Sequence, residues 1–102
     1  IAELREVMEE EFADLISSFL NDLPVQLDLI QEAIARSDAV DLYRIAHKFK
    51  SSCGSLGAMR LAELFRRLEQ AGRQNALEGI AEVLAETRGI AQETVTQLVA
   101  ML

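Results

Sequence analysis

"AVDLYRIAHKFKSSCGSL", residues 39–56, is the stretch on which the fold turns. Leu42, Ile45, Phe49, Cys53 and Leu56 recur at steps of three and four, the spacing of a helix with one apolar stripe. Ser37-Asp38 in front of it reads as a turn and N-cap, with Asp41 in the first turn, where an acid faces the positive end of the helix dipole. Gly57 behind it is a natural C-terminal stop. An α-helix turns about 100° per residue, so with His47 set at zero the stripe centres roughly 160° away. His47, the one histidine of the chain, therefore faces outward. That removes the commonest reading of a lone histidine, a satisfied group inside the core. Cys53, the one cysteine, lies on the stripe and reads as a small core filler.

Helical spacing extends in both directions. Upstream, Leu4, Met8, Phe12, Leu15, Phe19 and Leu23 form one stripe, and Leu27, Ile30 and Ile34 a second that ends near Arg36. Pro24 separates them and predicts a break or kink near Asn21–Pro24, with the proline in the first turn of the following helix. Downstream, Leu61, Leu64, Phe65 and Leu68 form a helix that ends near Gly72. Asn75 and Glu78 read as a capping pair for a last helix carrying Leu77, Ile80, Leu84, Ala91, Val95 and Leu98, with Gly79 and Gly89 as weak points inside it. No strand-like alternation and no repeat is present. The predicted fold is all-α: an antiparallel four-helix bundle in a single domain over residues 1–102, with an additional helical segment at its N-terminus.

Half the residues are apolar and only one is proline, which suits a packed helical domain. The net charge is −7, which argues against a nucleic-acid binder. The charge is uneven. Residues 1–43 are strongly acidic, whereas Arg44, Lys48, Lys50, Arg60, Arg66, Arg67 and Arg73 make residues 44–73 basic, and the histidine sits in that basic stretch. No apolar run approaches the roughly 20 residues that cross a bilayer, and no signal peptide is visible. A single cysteine forms no internal disulfide, so a cytoplasmic location is expected.

Val40, Tyr43, Arg44, Lys50, Ser51 and Gly54 lie within roughly 60° of His47 on the helix. Lys50 and Arg44 flank the imidazole and attract anions. Ser51 and Gly54, one and two turns onward, leave open space beside it. One outward histidine and one inward cysteine do not make a three- or four-ligand metal site. Ser51 at i+4 could pair with the imidazole, but no orienting acid lies on that helix face and no oxyanion loop is evident. A histidine that accepts a phosphoryl group fits better, because such a nucleophile needs exposure, clearance and nearby cations.

"AHKFKSSCGSLGA", residues 46–58, followed by "LAELFRRLEQAGR", residues 61–73, resembles the histidine-containing phosphotransfer (HPt) domains of multistep phosphorelays. Ala46, His47, Lys50, Ser52, Leu56, Gly57, Ala58, Leu68 and Glu69 match the family pattern, and length and helix order agree over essentially the whole chain. Phe49 stands where leucine is common, and Ser51 where glycine is typical. The resemblance implies that His47 takes a phosphoryl group from a receiver-domain aspartyl-phosphate and passes it to another receiver aspartate. It implies Lys50 as the cation near the phosphate, position 51 as the small residue that keeps the site open, and no kinase activity in the chain itself. The receiver supplies the Mg²⁺, and the chain binds no cofactor of its own. Arg44 and Gly54 are assigned to support of the phosphate, and Val40, Tyr43 and Lys48 to partner docking. A monomer is expected, since one histidine suffices for the chemistry.

Three other readings compete. In a plain helical interaction module, His47 is incidental. In the dimerisation domain of a sensor kinase an acid usually follows the histidine, whereas Lys48 follows here, and the helices are too many for a two-helix hairpin. A phosphotransfer domain of the chemotaxis-kinase type would be loaded by a kinase domain and not by a receiver.

Overall fold

The computed structural model describes the backbone of residues 2–102 and the side chains from residue 9 onward. Four helices follow one another: α1 (Ala2–Ala35), α2 (Ala39–Ser55), α3 (Met59–Arg73) and α4 (Ile80–Val99), with no strand among the described residues. Each helix packs against the next, and α4 closes the ring on α1. The backbones of the diagonal pairs α1–α3 and α2–α4 stand further apart, across the core. The short connections make neighbours antiparallel, so this is the up-down-up-down bundle that the spacing predicts.

The expected break at Asn21–Pro24 does not occur. Pro24 sits inside a continuous α1, and the additional N-terminal segment is the leading part of that helix. Packing explains why. Ile16, Phe19, Leu23, Leu27 and Ile30 are at most 5% exposed and lie on both sides of the proline. Burying each contributes about 1.5–3 kcal/mol, which together outweighs the roughly 3 kcal/mol a proline costs in a helix interior. Pro24 itself points to solvent. The stripe also begins differently from the sequence reading. Ile16 is the core residue, whereas Phe12 and Leu15 are 42% and 46% exposed. Leu4 and Met8 fall outside the described side chains.

The centre of the bundle is aromatic. Phe49 of α2 stacks on Phe19 of α1 with ring centroids 5.2 Å apart and meets Phe65 of α3 at the same distance. Cys53 is fully buried beside them, and burial pushes its thiol up to about 12. These contacts fix which face of α2 looks inward, and so which face carries His47.

Three helices end in the same way. At Ser37, Gly57 and Asn75 the backbone turns left-handed, and the next N–H reaches back five residues: Asp38 to Ala33, Ala58 to Cys53, Ala76 to Ala71. Asp38 caps α2 as expected, its carboxylate accepting from the Asp41 N–H at 3.0 Å. Asn75 does not cap the last helix with Glu78. It is the left-handed stop of α3, a role asparagine tolerates better than most residues. The α4 helix starts instead at Ile80 behind Gly79, whose φ of +74° places it outside the helix, and Leu77 belongs to the connection. Gly89 lies inside α4 as expected.

The helices α2 and α3 approach closely at Gly72 of α3. A Cβ there would lie 2.7 Å from the Tyr43 backbone N and 2.8 Å from the Ala39 carbonyl oxygen, both on α2. The glycine lets the two backbones touch, and this contact brings the preceding turn of α3, with Glu69, against the outward face of α2. No helix among the described residues is long and apolar enough to cross a membrane.

Candidate functional site

His47 projects from the middle of α2 with 57% of its side chain exposed. Its Nδ1 lies 2.8 Å from Oε1 of Glu69, a residue of α3 whose side chain is only 7% exposed. The other oxygen of that carboxylate, Oε2, accepts from Lys50 Nζ at 2.6 Å. Arg73, one turn further along α3, brings its guanidinium 3.5 Å from Oε1. Tyr43 stacks on one face of the imidazole at 5.5 Å between centroids, 20° from parallel.

The chemistry follows from the donor set. A carboxylate only accepts, so Nδ1 carries the proton in its bond to Glu69. In the neutral ring Nε2 then holds the free lone pair. Burial works against the charge on Glu69, but hydrogen bonds from Lys50 and His47 outweigh it and hold the carboxyl below the ordinary glutamate range. The acid therefore stays ionised near neutral pH and keeps its hold on Nδ1. The outcome is an exposed imidazole with a fixed tautomer and an unprotonated Nε2, beside one buried carboxylate and two cations.

Other predicted residues are placed as follows. Lys50 joins the site, one-third exposed, through its bond to Glu69. Arg44 shares the helix face but bonds Asp41 at 2.6 Å, and Arg36 holds the same acid at 3.0 Å, so the Arg44 guanidinium is directed to the start of α2. Ser51 is exposed, and its carbonyl accepts from the Ser55 hydroxyl. Nothing lies within 4 Å of where a Cβ on Gly54 would be, so that side of His47 is open. Val40, two turns before His47, is 71% exposed. Lys48, next to His47 in the chain, is exposed, and Tyr43 is half-buried under the imidazole.

No orienting acid lies on the His47 face of α2, as the sequence indicates, but Glu69 supplies one from outside that helix. The acid comes from the facing helix, 22 residues along the chain, and not from the face of α2. Its signal was present in α3. Leu61, Leu64, Phe65, Leu68 and Gly72 form the buried stripe of that helix, and Glu69 is the one charged residue among them. A carboxylate on a core-facing stripe is rarely buried without partners. Among the described residues no cluster of three metal-ligating side chains is present.

The family model described as Hpt domain matches residues 14–102. Among solved structures, the crystal structure of histidine-containing phosphotransfer protein B (HptB) from Pseudomonas aeruginosa PAO1 superposes with a TM-score of 0.88, at 27% identity, covering 97% of this chain and 86% of that one. No curated protein gives a significant match.

Proposed function

From the chain's membership of the Hpt domain family, whose members carry phosphoryl groups on histidine in phosphorelays, we propose that His47 is the phosphoacceptor, loaded by a receiver-domain aspartyl-phosphate and unloaded onto the aspartate of another receiver. The observation that carries this reading is the bond from Nδ1 to Glu69, which leaves Nε2 as the nucleophile on a side chain 57% exposed. The Nε2 lone pair attacks phosphorus, the N–P bond forms, and the bond from phosphorus to the aspartyl oxygen breaks. The electron pair leaves with the carboxylate. The positive charge left on the ring is shared with Glu69 through Nδ1–H. Lys50 stands at the same carboxylate and offsets the incoming phosphate charge. Reversal onto a second receiver uses the same geometry.

Mg²⁺ and the remaining catalytic groups belong to the receiver on this reading, and the chain acts as a monomeric carrier in the cytoplasm. Its open side, over Ser51 and Gly54, is where the loops of the receiver reach the ring, with Val40, Tyr43 and Lys48 at the edge of the contact.

The test is a transfer assay with a panel of phosphorylated receivers and Mg²⁺ on the wild type and on His47→Gln. An acid-labile, base-stable phosphate on the wild type alone is expected. Label that persists in His47→Gln overturns the assignment. Loading by a kinase domain with ATP, with none from any receiver, would replace the donor with a kinase of the chemotaxis type.

A further inference from the structure

The bond to Glu69 fixes one edge of the imidazole but leaves its faces undetermined, since a ring held at Nδ1 can still rock about that bond. One face is covered. Tyr43 stands at i−4 from His47, and helical side chains lean toward the N-terminus, so the imidazole falls over Tyr43 and not over Ser51. The two rings lie 5.5 Å apart and 20° from parallel, an offset stack.

Tyr43 is itself tethered at both ends. Its backbone N and Cα meet Gly72 of α3 so closely that a Cβ there would stand 2.7 and 2.9 Å away. Its hydroxyl accepts from Arg73 at 3.3 Å, and the Arg73 guanidinium lies over the ring, 5.3 Å from its centroid. Arg73 also reaches Oε1 of Glu69, the oxygen that holds His47. The contacts form a closed circuit: His47 to Glu69, Glu69 to Arg73, Arg73 to Tyr43, and Tyr43 back to His47. A ring whose only business were to greet a partner needs no such tether.

We infer that Tyr43 is a positioning residue of the phosphotransfer site: its ring, pinned by Arg73 and by the Gly72 contact, holds the imidazole by one face so that Nε2 is presented on the open side. The inference rests on His47 being the phosphoacceptor. It moves Tyr43 from the docking surface into support of the nucleophile. The ring does the holding, and the hydroxyl serves the tether.

The experiment uses Tyr43→Phe and Tyr43→Leu with two readouts. The first is the imidazole proton spectrum, uncluttered because the chain has one histidine. The second is the rate of phosphorylation by phosphoramidate, a donor too small to need a docking surface. Tyr43→Phe should keep the ring-current shift of the imidazole protons and a rate close to wild type. Tyr43→Leu should lose the shift and react about 3- to 10-fold more slowly, the range set by losing one aromatic stack. A Tyr43→Leu variant that reacts with phosphoramidate at the wild-type rate, and is slow only with receivers, overturns the inference and returns Tyr43 to docking. Equal losses in Phe and Leu overturn it too, since the hydroxyl would then carry the effect. The spectra are independent of whether His47 is phosphorylated. If the wild type takes no phosphate while the shift behaves as stated, the reading of His47 has failed and the stacking has not.

Discussion

Gly72→Ala adds one methyl group at the point where α2 and α3 touch, and the structure allows its effect to be worked out. The new Cβ would lie 2.7 Å from Tyr43 N, 2.8 Å from the Ala39 oxygen and 2.9 Å from Tyr43 Cα. All three are backbone atoms and cannot rotate away. Restoring an ordinary contact of about 3.4 Å separates the helices locally by about 0.7 Å. Overpacking of this kind costs about 1–3 kcal/mol, and the better helix propensity of alanine returns about 0.5–1. The difference runs from about 0 to 2.5 kcal/mol lost, centred near 1, and each kcal/mol lowers Tm by about 4–8 °C in a domain of this size. The site feels the same displacement. Glu69 lies one turn before Gly72, and a 0.7 Å shift would stretch its 2.8 Å bond to His47 to about 3.5 Å, where a hydrogen bond is largely lost. Urea unfolding followed by circular dichroism measures the first effect, and phosphotransfer at a temperature where both proteins are folded measures the second. Gly89→Ala is the control: it is the same substitution inside α4 with nothing within 4 Å, and it should raise stability by about 0.5–1 kcal/mol. Gly72→Ala that gains as much stability as Gly89→Ala would refute the claim that the two backbones are in contact there.

Two further perturbations test other parts of the account. Pro24→Ala restores the missing N–H inside α1 without touching the core and should raise stability by about 1–3 kcal/mol in urea unfolding; no gain would mean that α1 bends at residue 24 in solution. Glu69→Gln should lower stability at neutral pH and flatten its acid limb. The folded carboxyl is held below its ordinary 4.5 by Lys50 and His47 against the opposing effect of burial, so its contribution is full above 4.5 and fades as pH falls through the depressed folded value. Wild type and variant should therefore converge in acid, and parallel stability curves would show that the charge on Glu69 contributes nothing.

The fold was legible because its signals are local. The stripe Leu42–Leu56, the cap at Asp38 and the stop at Gly57 each depend on a few neighbouring residues, and each is found in place. Pro24 misled because the penalty it imposes is local, whereas the burial that overrides it is spread from Ile16 to Ile30 and contributed by other helices. Asn75 misled for a related reason. The same side chain suits an N-cap and a left-handed stop, and only the position of α3 decides between them.

The site divides along the same line. Helical geometry told which residues share a face with His47 on α2, but it could not tell what α3 lays across that face. Arg44 and Lys50 looked equivalent from within the helix, both cations at about 60° from the imidazole. They separate once neighbours are counted: Asp41 claims Arg44, whereas Glu69 claims Lys50. This difference bears on the proposed function. Lys50 and Arg73 are partly neutralised by one carboxylate, so the site offers a phosphate two cations that are already engaged. A fully free pair would bind the phosphoryl group tightly and oppose its departure. Cations shared with Glu69 hold it less firmly in both directions, which suits a carrier that must give up what it receives.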